Sequence, residues 1–248
     1  MREPDPADTI SPRPPSHPAR RLRRAGLLAG AVALAVLAGA GAGALALYGM
    51  KGPLGNASAP IPVAAASADD AALCAGAVAT AAAITPLVKG EIAAFTPATQ
   101  PKRLPPLPFA DAEGRATSLA ELGRPLTLVN LWATWCAPCR KEMPALDRLQ
   151  GELGGADFEV VAINLDARNP EKPPAFLKEI GVANLRYFAD APGKSFQALR
   201  TAGRGFGLPT TLLVDGKGCE IGFLAGPADW GGPEALALIR AAQGQLNR

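Results

Sequence analysis

The sequence predicts an α/β fold behind a membrane anchor, and three observations carry this. Two continuous apolar runs, Leu126–Leu131 and Phe158–Ile163, have the length of strands buried on both faces. A helix-length segment at 137–153 separates them, and a hairpin pattern at 210–224 and a helical pattern at 233–243 follow, which is an α/β layout. Residues 25–50 hold no charged side chain, only twenty hydrophobic residues and six glycines. At ~1.5 Å per residue that stretch reaches ~39 Å as a helix, against a hydrocarbon core of ~30 Å.

From the N-terminus, residues 1–24 are rich in Pro and Arg and read as a disordered tail. Arg20, Arg21, Arg23 and Arg24 stand just before the apolar stretch. The positive-inside rule therefore keeps the tail in the cytoplasm, makes 25–50 a transmembrane anchor, and places the rest outside. A cleaved signal peptide is the competing reading, with Ala44-Leu45-Ala46 as its cleavage site. Residues 51–68, dominated by Gly, Pro, Ser and Ala, read as a flexible linker. Residues 69–102 form an N-terminal extension: an Ala-rich helix over 69–83, where Ser67 and Asp70 are spaced as a capping box, and then an extended connector, with five prolines across 96–108.

The main domain runs over 103–248. A short hairpin is expected from Pro108-Phe109 to Arg115-Ala116-Thr117, around Ala112-Glu113-Gly114. The strand Leu126–Leu131 leads to a helix Ala137–Leu153 that stops at Gly154-Gly155. After the strand Phe158–Ile163 come a helix Pro174–Ile180 ending at Gly181, a short strand Arg186–Phe188 and a short helix Gly193–Arg200. Thr210–Val214 and Ile221–Leu224 read as a hairpin across Asp215-Gly216-Lys217-Gly218. A helix Pro233–Gln243 closes the chain.

The 248 residues accommodate one ordinary domain with extensions. The net charge of +3 belongs to the first fifty residues, with six arginines against three acids; the remainder balances at 19 basic and 19 acidic. That argues against a nucleic-acid-binding domain. The single histidine, His17, lies in the tail, so chemistry that needs a histidine in the main domain is excluded.

The chemical signal is Trp135-Cys136-Ala137-Pro138-Cys139, directly after a buried strand and opening a helix. At a helix start, residues i and i+3 share a face, close enough for their sulfurs to bond. The first cysteine meets unpaired backbone N–H groups and the positive end of the helix dipole. These favour its thiolate and make Cys136 the attacking sulfur, with Cys139 resolving the mixed disulfide. Pro138 suits a first helical turn, where its missing N–H costs nothing. Trp132 and Trp135 flank the site, and Trp135 is expected to shield the sulfur and offer a docking surface. Zinc needs four ligands, and Cys74 and Cys219 are singletons in a domain without histidine. Copper held by CxxxC and a distal histidine lacks both parts. A permanently closed structural disulfide stays open as an alternative. Leu208-Pro209 heads a predicted strand, where proline is allowed. It is either an ordinary strand entry or a cis-proline loop that faces the cysteines and presents backbone groups to an extended partner.

The stretch Val129-Asn130-Leu131-Trp132-Ala133-Thr134-Trp135-Cys136-Ala137-Pro138-Cys139-Arg140-Lys141-Glu142-Met143-Pro144-Ala145-Leu146 resembles the membrane-anchored, thioredoxin-like TlpA proteins of α-proteobacteria. So do Phe158–Asn164, Gly207-Leu208-Pro209-Thr210 and Asp215–Ile221. The likeness runs from about Cys74 to the C-terminus. It implies a thioredoxin-like fold, a central mixed sheet flanked by helices, with the transmembrane helix and an extra helical segment in front. It implies an inner-membrane, single-pass protein whose C-terminal domain works as a monomeric thiol:disulfide reductant in the periplasm, without a metal or cofactor beyond the Cys136–Cys139 pair. The clients it implies are a Sco-type copper chaperone and the oxidase subunit that holds the binuclear copper centre, whose cysteines must be reduced before copper binds. Electrons would come from a membrane thiol transporter. Reduction of apocytochrome c thiols and a non-catalytic client-binding module are the alternatives. A peroxiredoxin is excluded, since it needs threonine at the position of Ala133.

One departure, one shared glutamate and two cysteines remain. Thioredoxin carries a buried aspartate where this chain has Asn130, which cannot accept a proton. Glu142 matches a glutamate of the anchored relatives and stands one turn after Cys139, placed to aid its deprotonation; a solvent-facing helix glutamate is the competing reading. The resemblance also implies a structural disulfide between Cys74 and Cys219, and an oxidising compartment favours it. In the chain-entropy account, closing so long a loop contributes ~4–5 kcal/mol. Two buried free thiols are the alternative.

Overall fold

The structure, a computed structural model, describes residues 68–246. The expected tail, anchor and nearly all of the linker, with Ser67 of the capping box, lie outside the described residues. Among the described residues no helix is long and apolar enough to cross a membrane.

The central strand β4 (Leu126–Trp132) is buried at all seven positions, as is β5 (Phe158–Asn164), its parallel neighbour. Alternate residues face opposite sides: Leu126, Leu128 and Trp132 join one core cluster, and Val129 and Leu131 the other. Both faces are therefore covered, which explains why these strands read as continuous apolar runs. On the other side β4 pairs antiparallel with β7 (Thr210–Asp215), and β7 with β8 (Glu220–Ala225). β6 (Phe188–Ala189) continues the sheet beyond β5, and the small hairpin of β2 (Phe109–Ala110) and β3 (Ala116–Thr117) completes that edge. β1 (Thr96–Pro97) closes the opposite edge against β8, giving the order β1-β8-β7-β4-β5-β6-β2-β3.

The helices are α1 (Ala68–Leu73), α2 (Ala75–Ile84), α3 (Leu119–Leu122), α4 (Ala137–Leu153), α5 (Lys172–Glu179), α6 (Lys194–Thr201) and α7 (Pro233–Leu246). The single helix expected over 69–83 is broken at Cys74, the residue bonded to Cys219. α2 buries Ala77, Ala81 and Ile84, a helical stripe, in the same core cluster as Leu238 and Ile239 of α7 and Ile221 of β8. The proline-rich connector is an edge strand. Ala98 N–H donates to Ile221 O (2.8 Å), Leu104 N–H to Gly218 O (2.9 Å), and Lys102 O accepts from Glu220 N–H (2.9 Å). Prolines are tolerated there because an edge leaves one side of the strand without ladder partners. α3 was not anticipated. Ser118 caps it, accepting from Glu121 N–H at 3.3 Å, and Gly123 ends it with φ 63°. β6 lies later than the expected 186–188, and Arg186, ahead of the strand, pairs with Glu159 (3.1 Å).

Candidate functional site

β4 ends at Trp132 and hands the chain to a tight turn, in which Cys136 N–H donates to Ala133 O at 3.1 Å. Cys136 is the N-cap of α4, with extended backbone (φ −87°, ψ 102°). Its sulfur takes the place of a capping oxygen, accepting the N–H of Cys139 at 3.3 Å. A group so placed lies at the positive end of the helix dipole. Cys136 and Cys139 are bonded to each other (Cα–Cα 5.3 Å). Cys136 keeps 6% of its surface and Cys139 none, so an incoming partner reaches Cys136 first. Pro138 lies exposed in the first turn, and Trp135 stands 67% exposed beside the sulfur. Pro209 precedes β7 and follows Leu208 in a cis peptide. Because Leu131 registers with Thr210 across β4 and β7, Pro209 and half-buried Leu208 lie at the sheet end where β4 delivers the cysteines.

Glu142 is not solvent-facing. It is 3% exposed, one turn beyond Cys139 on the same helix face. Its Oε1 accepts from Trp230 Nε1–H (2.8 Å) and Ala228 N–H (3.1 Å), and its Oε2 from Asn130 Nδ2–H (3.1 Å). Burial pushes its pKa up to about 7, against the opposing pull of those three hydrogen bonds. A groove of about 570 Å³ opens over it, with Lys141, Arg148, Glu91 and Asp229 on its walls. Cys74 and Cys219 are both fully buried and bonded to each other, 145 residues apart.

Three features were not singled out from sequence. Asp166, just past β5, accepts from Thr134 N–H (2.8 Å), Thr134 Oγ1–H (2.6 Å) and Asn164 Nδ2–H (2.8 Å), and so pins the turn before Trp135. The paired polar residues Asn164 and Asp166, closing an otherwise apolar strand, were a usable signal. Trp230 donates to Glu142 from 88 residues away, and no local pattern announces that. Phe206 is 70% exposed between two glycines, on the loop entering Pro209, its ring 6.4 Å from Phe223.

A helix-capping CxxC after the central strand, with a cis proline at the head of the antiparallel neighbour, defines a thioredoxin-like α/β fold with a mixed sheet and a dithiol–disulfide site. Residues 100–219 match the AhpC/TSA family. The chain is 36% identical over 129 residues to the thiol:disulfide interchange protein HelX of Rhodobacter capsulatus, a stretch covering 50% of this chain and 64% of that one. It is 32% identical over 115 residues to the thiol-disulfide oxidoreductase ResA of Halalkalibacterium halodurans, covering 44% and 58%. A solved thioredoxin-related protein from Neisseria meningitidis serogroup B is 27% identical with TM-score 0.44, covering 56% of this chain and 98% of that one. The matched stretch spans less than two thirds of the length of both curated relatives.

Proposed function

We propose that this protein is a thiol:disulfide oxidoreductase of the membrane-anchored TlpA type, acting as a reductant on protein clients. The observation that carries this is Cys136, whose sulfur caps α4 and retains an accessible edge beside exposed Trp135, while its bonded partner Cys139 is sealed. The names of HelX and ResA support the same chemistry. In the reduced protein the Cys136 thiolate attacks one sulfur of a client disulfide, and the first client sulfur leaves as a thiolate. Glu142 then takes the Cys139 proton through a group poised near neutral pH. The Cys139 thiolate attacks Cys136, and the second client sulfur leaves. Two electrons reach the client, whose two thiolates take up one proton from Cys139 by way of Glu142 and one from solvent, and Cys136–Cys139 closes. The sulfur pair carries the electrons, so the cycle needs no metal or cofactor. A membrane thiol carrier reopens the pair.

The clients in this reading are a Sco-type copper chaperone and the copper subunit of an oxidase, met in the periplasm by a monomeric domain tethered through residues 25–50. Trp135, Pro138, Leu208 and Pro209 supply the docking face. Ala133, three residues before Cys136, leaves the site without the threonine of a peroxide-reducing relative. In the native host, Cys139→Ser should hold its client as a mixed disulfide on Cys136, seen as a band that dithiothreitol collapses. Recovery of copper-site proteins supports this assignment, and recovery of apocytochrome c replaces it with haem attachment. A Cys139→Ser protein that captures nothing, although purified wild type is redox-active, removes the reductase reading in favour of a binding role.

A further inference from the structure

The carboxylate of Glu142 leaves few choices for where a proton can sit. Oε1 already accepts two N–H groups, from Ala228 and Trp230. Both are donors only, so that oxygen cannot carry a proton without setting hydrogen against hydrogen. Oε2 has one partner, Asn130 Nδ2–H at 3.1 Å, so the proton belongs on Oε2. There it meets the same conflict unless the partner changes.

Asn130 is built to change. It is fully buried, and its Nδ2 donates at once to Glu142 Oε2 and to Thr211 Oγ1 (2.9 Å), while its Oδ1 has no partner. A buried amide oxygen without a donor is costly and calls for an explanation. Turning the amide about χ2 puts Oδ1 where Nδ2 was, between the same two oxygens. Oδ1 has two lone pairs, one for a Glu142 Oε2–H and one for the Thr211 hydroxyl, which donates as readily as it accepts.

We propose that Asn130 is a positioning residue with two settings: it presents Nδ2–H to the ionised Glu142 and, with its amide reversed, Oδ1 to the protonated one, Thr211 reversing its hydroxyl in step. The only bond made or broken is to one proton, which Glu142 Oε2 exchanges with the group it serves or, in the oxidised protein, with solvent. Its use in catalysis rests on the reading that Glu142 takes the Cys139 proton; the switch itself does not. No charged side chain competes within the hydrogen-bonded set; charged groups line the groove above Glu142, namely Glu91, Lys141, Arg148 and Asp229, the last two paired at 2.9 Å.

The test is an NMR titration of the oxidised protein, without client, following the Glu142 carboxyl carbon and the Asn130 side-chain NH2 group from pH 5 to 9. The Asn130 signals should move with the same midpoint as the Glu142 carbon, and Glu142→Gln should hold them still. In Asn130→Leu, which removes the donor to the ionised form and the acceptor for the protonated form alike, the Glu142 midpoint should move by well under 1 pH unit, whereas a rise of about 1 unit, the loss of a donor alone, would overturn the second setting. Asn130 signals that stay flat while Glu142 titrates in the wild type overturn the proposal, and that experiment needs no variant to fold. Failure of the acceptor role shows differently: Glu142→Gln would then reduce disulfides with an unchanged pH profile while the wild-type Asn130 signals still titrated.

Discussion

At the scale of single residues, Glu142 is a place where the fold accepts a cost. Unfolded, its carboxyl ionises near 4.5; folded, burial lifts it to about 7. Between those values the folded state holds a proton that the unfolded state has lost, so stability falls as pH rises through that window. The difference amounts to about 3 kcal/mol, present below pH 4.5 and lost by about pH 7. Urea denaturation at pH 4.5 and pH 8 should show Glu142→Gln flattening this part of the wild-type pH dependence; equal slopes in the two proteins would mean the carboxyl is not buried as described. The cysteine pair was legible from spacing, because two sulfurs three apart at a helix start need only local geometry. The setting of Glu142 was not. Its helix position left buried and solvent-facing readings open, and the donors that decide between them, Ala228 and Trp230, lie 86 and 88 residues away.

At the scale of elements, the N-terminal extension docks through a close approach that only glycine permits. A Cβ on Gly222 of β8 would lie 2.5 Å from the Phe95 ring and 2.8 Å from Thr96 O. Phe95 in turn packs edge-on against Trp230 at 6.3 Å. Gly222→Ala should therefore push the extension off the sheet edge and lower stability by about 1–3 kcal/mol, read as a drop in the urea midpoint; an unchanged midpoint would show that the ring moves aside freely. Strands β4 and β5 and helix α4 were readable because burial on both faces and a capped start leave marks within a single segment. Pro144 did not interrupt α4, which runs to Leu153 although the Arg140 carbonyl is denied its usual donor. The edge role of 96–104 was hidden, since five prolines speak of extension but say nothing about which strand lies alongside.

Across the whole molecule, the extension and the main domain share one core: α2 and Phe95 belong to the same buried cluster as Met143, Leu146, Trp230 and Ile239. Residues 68–246 thus act as one cooperative body around the cysteine turn. The two disulfides occupy opposite situations within it. Cys74 and Cys219 have no exposed surface, whereas Cys136 retains a little. A thiolate cannot attack a sulfur it cannot touch. The folded protein should accordingly release two thiols to excess reductant and all four only after denaturation, a difference a colorimetric thiol count with and without guanidinium would record. Four thiols released from the folded protein would refute it. The molecule is then a store of one electron pair rather than two: it can be discharged and recharged without loosening the bond that keeps α1 and α2 in place.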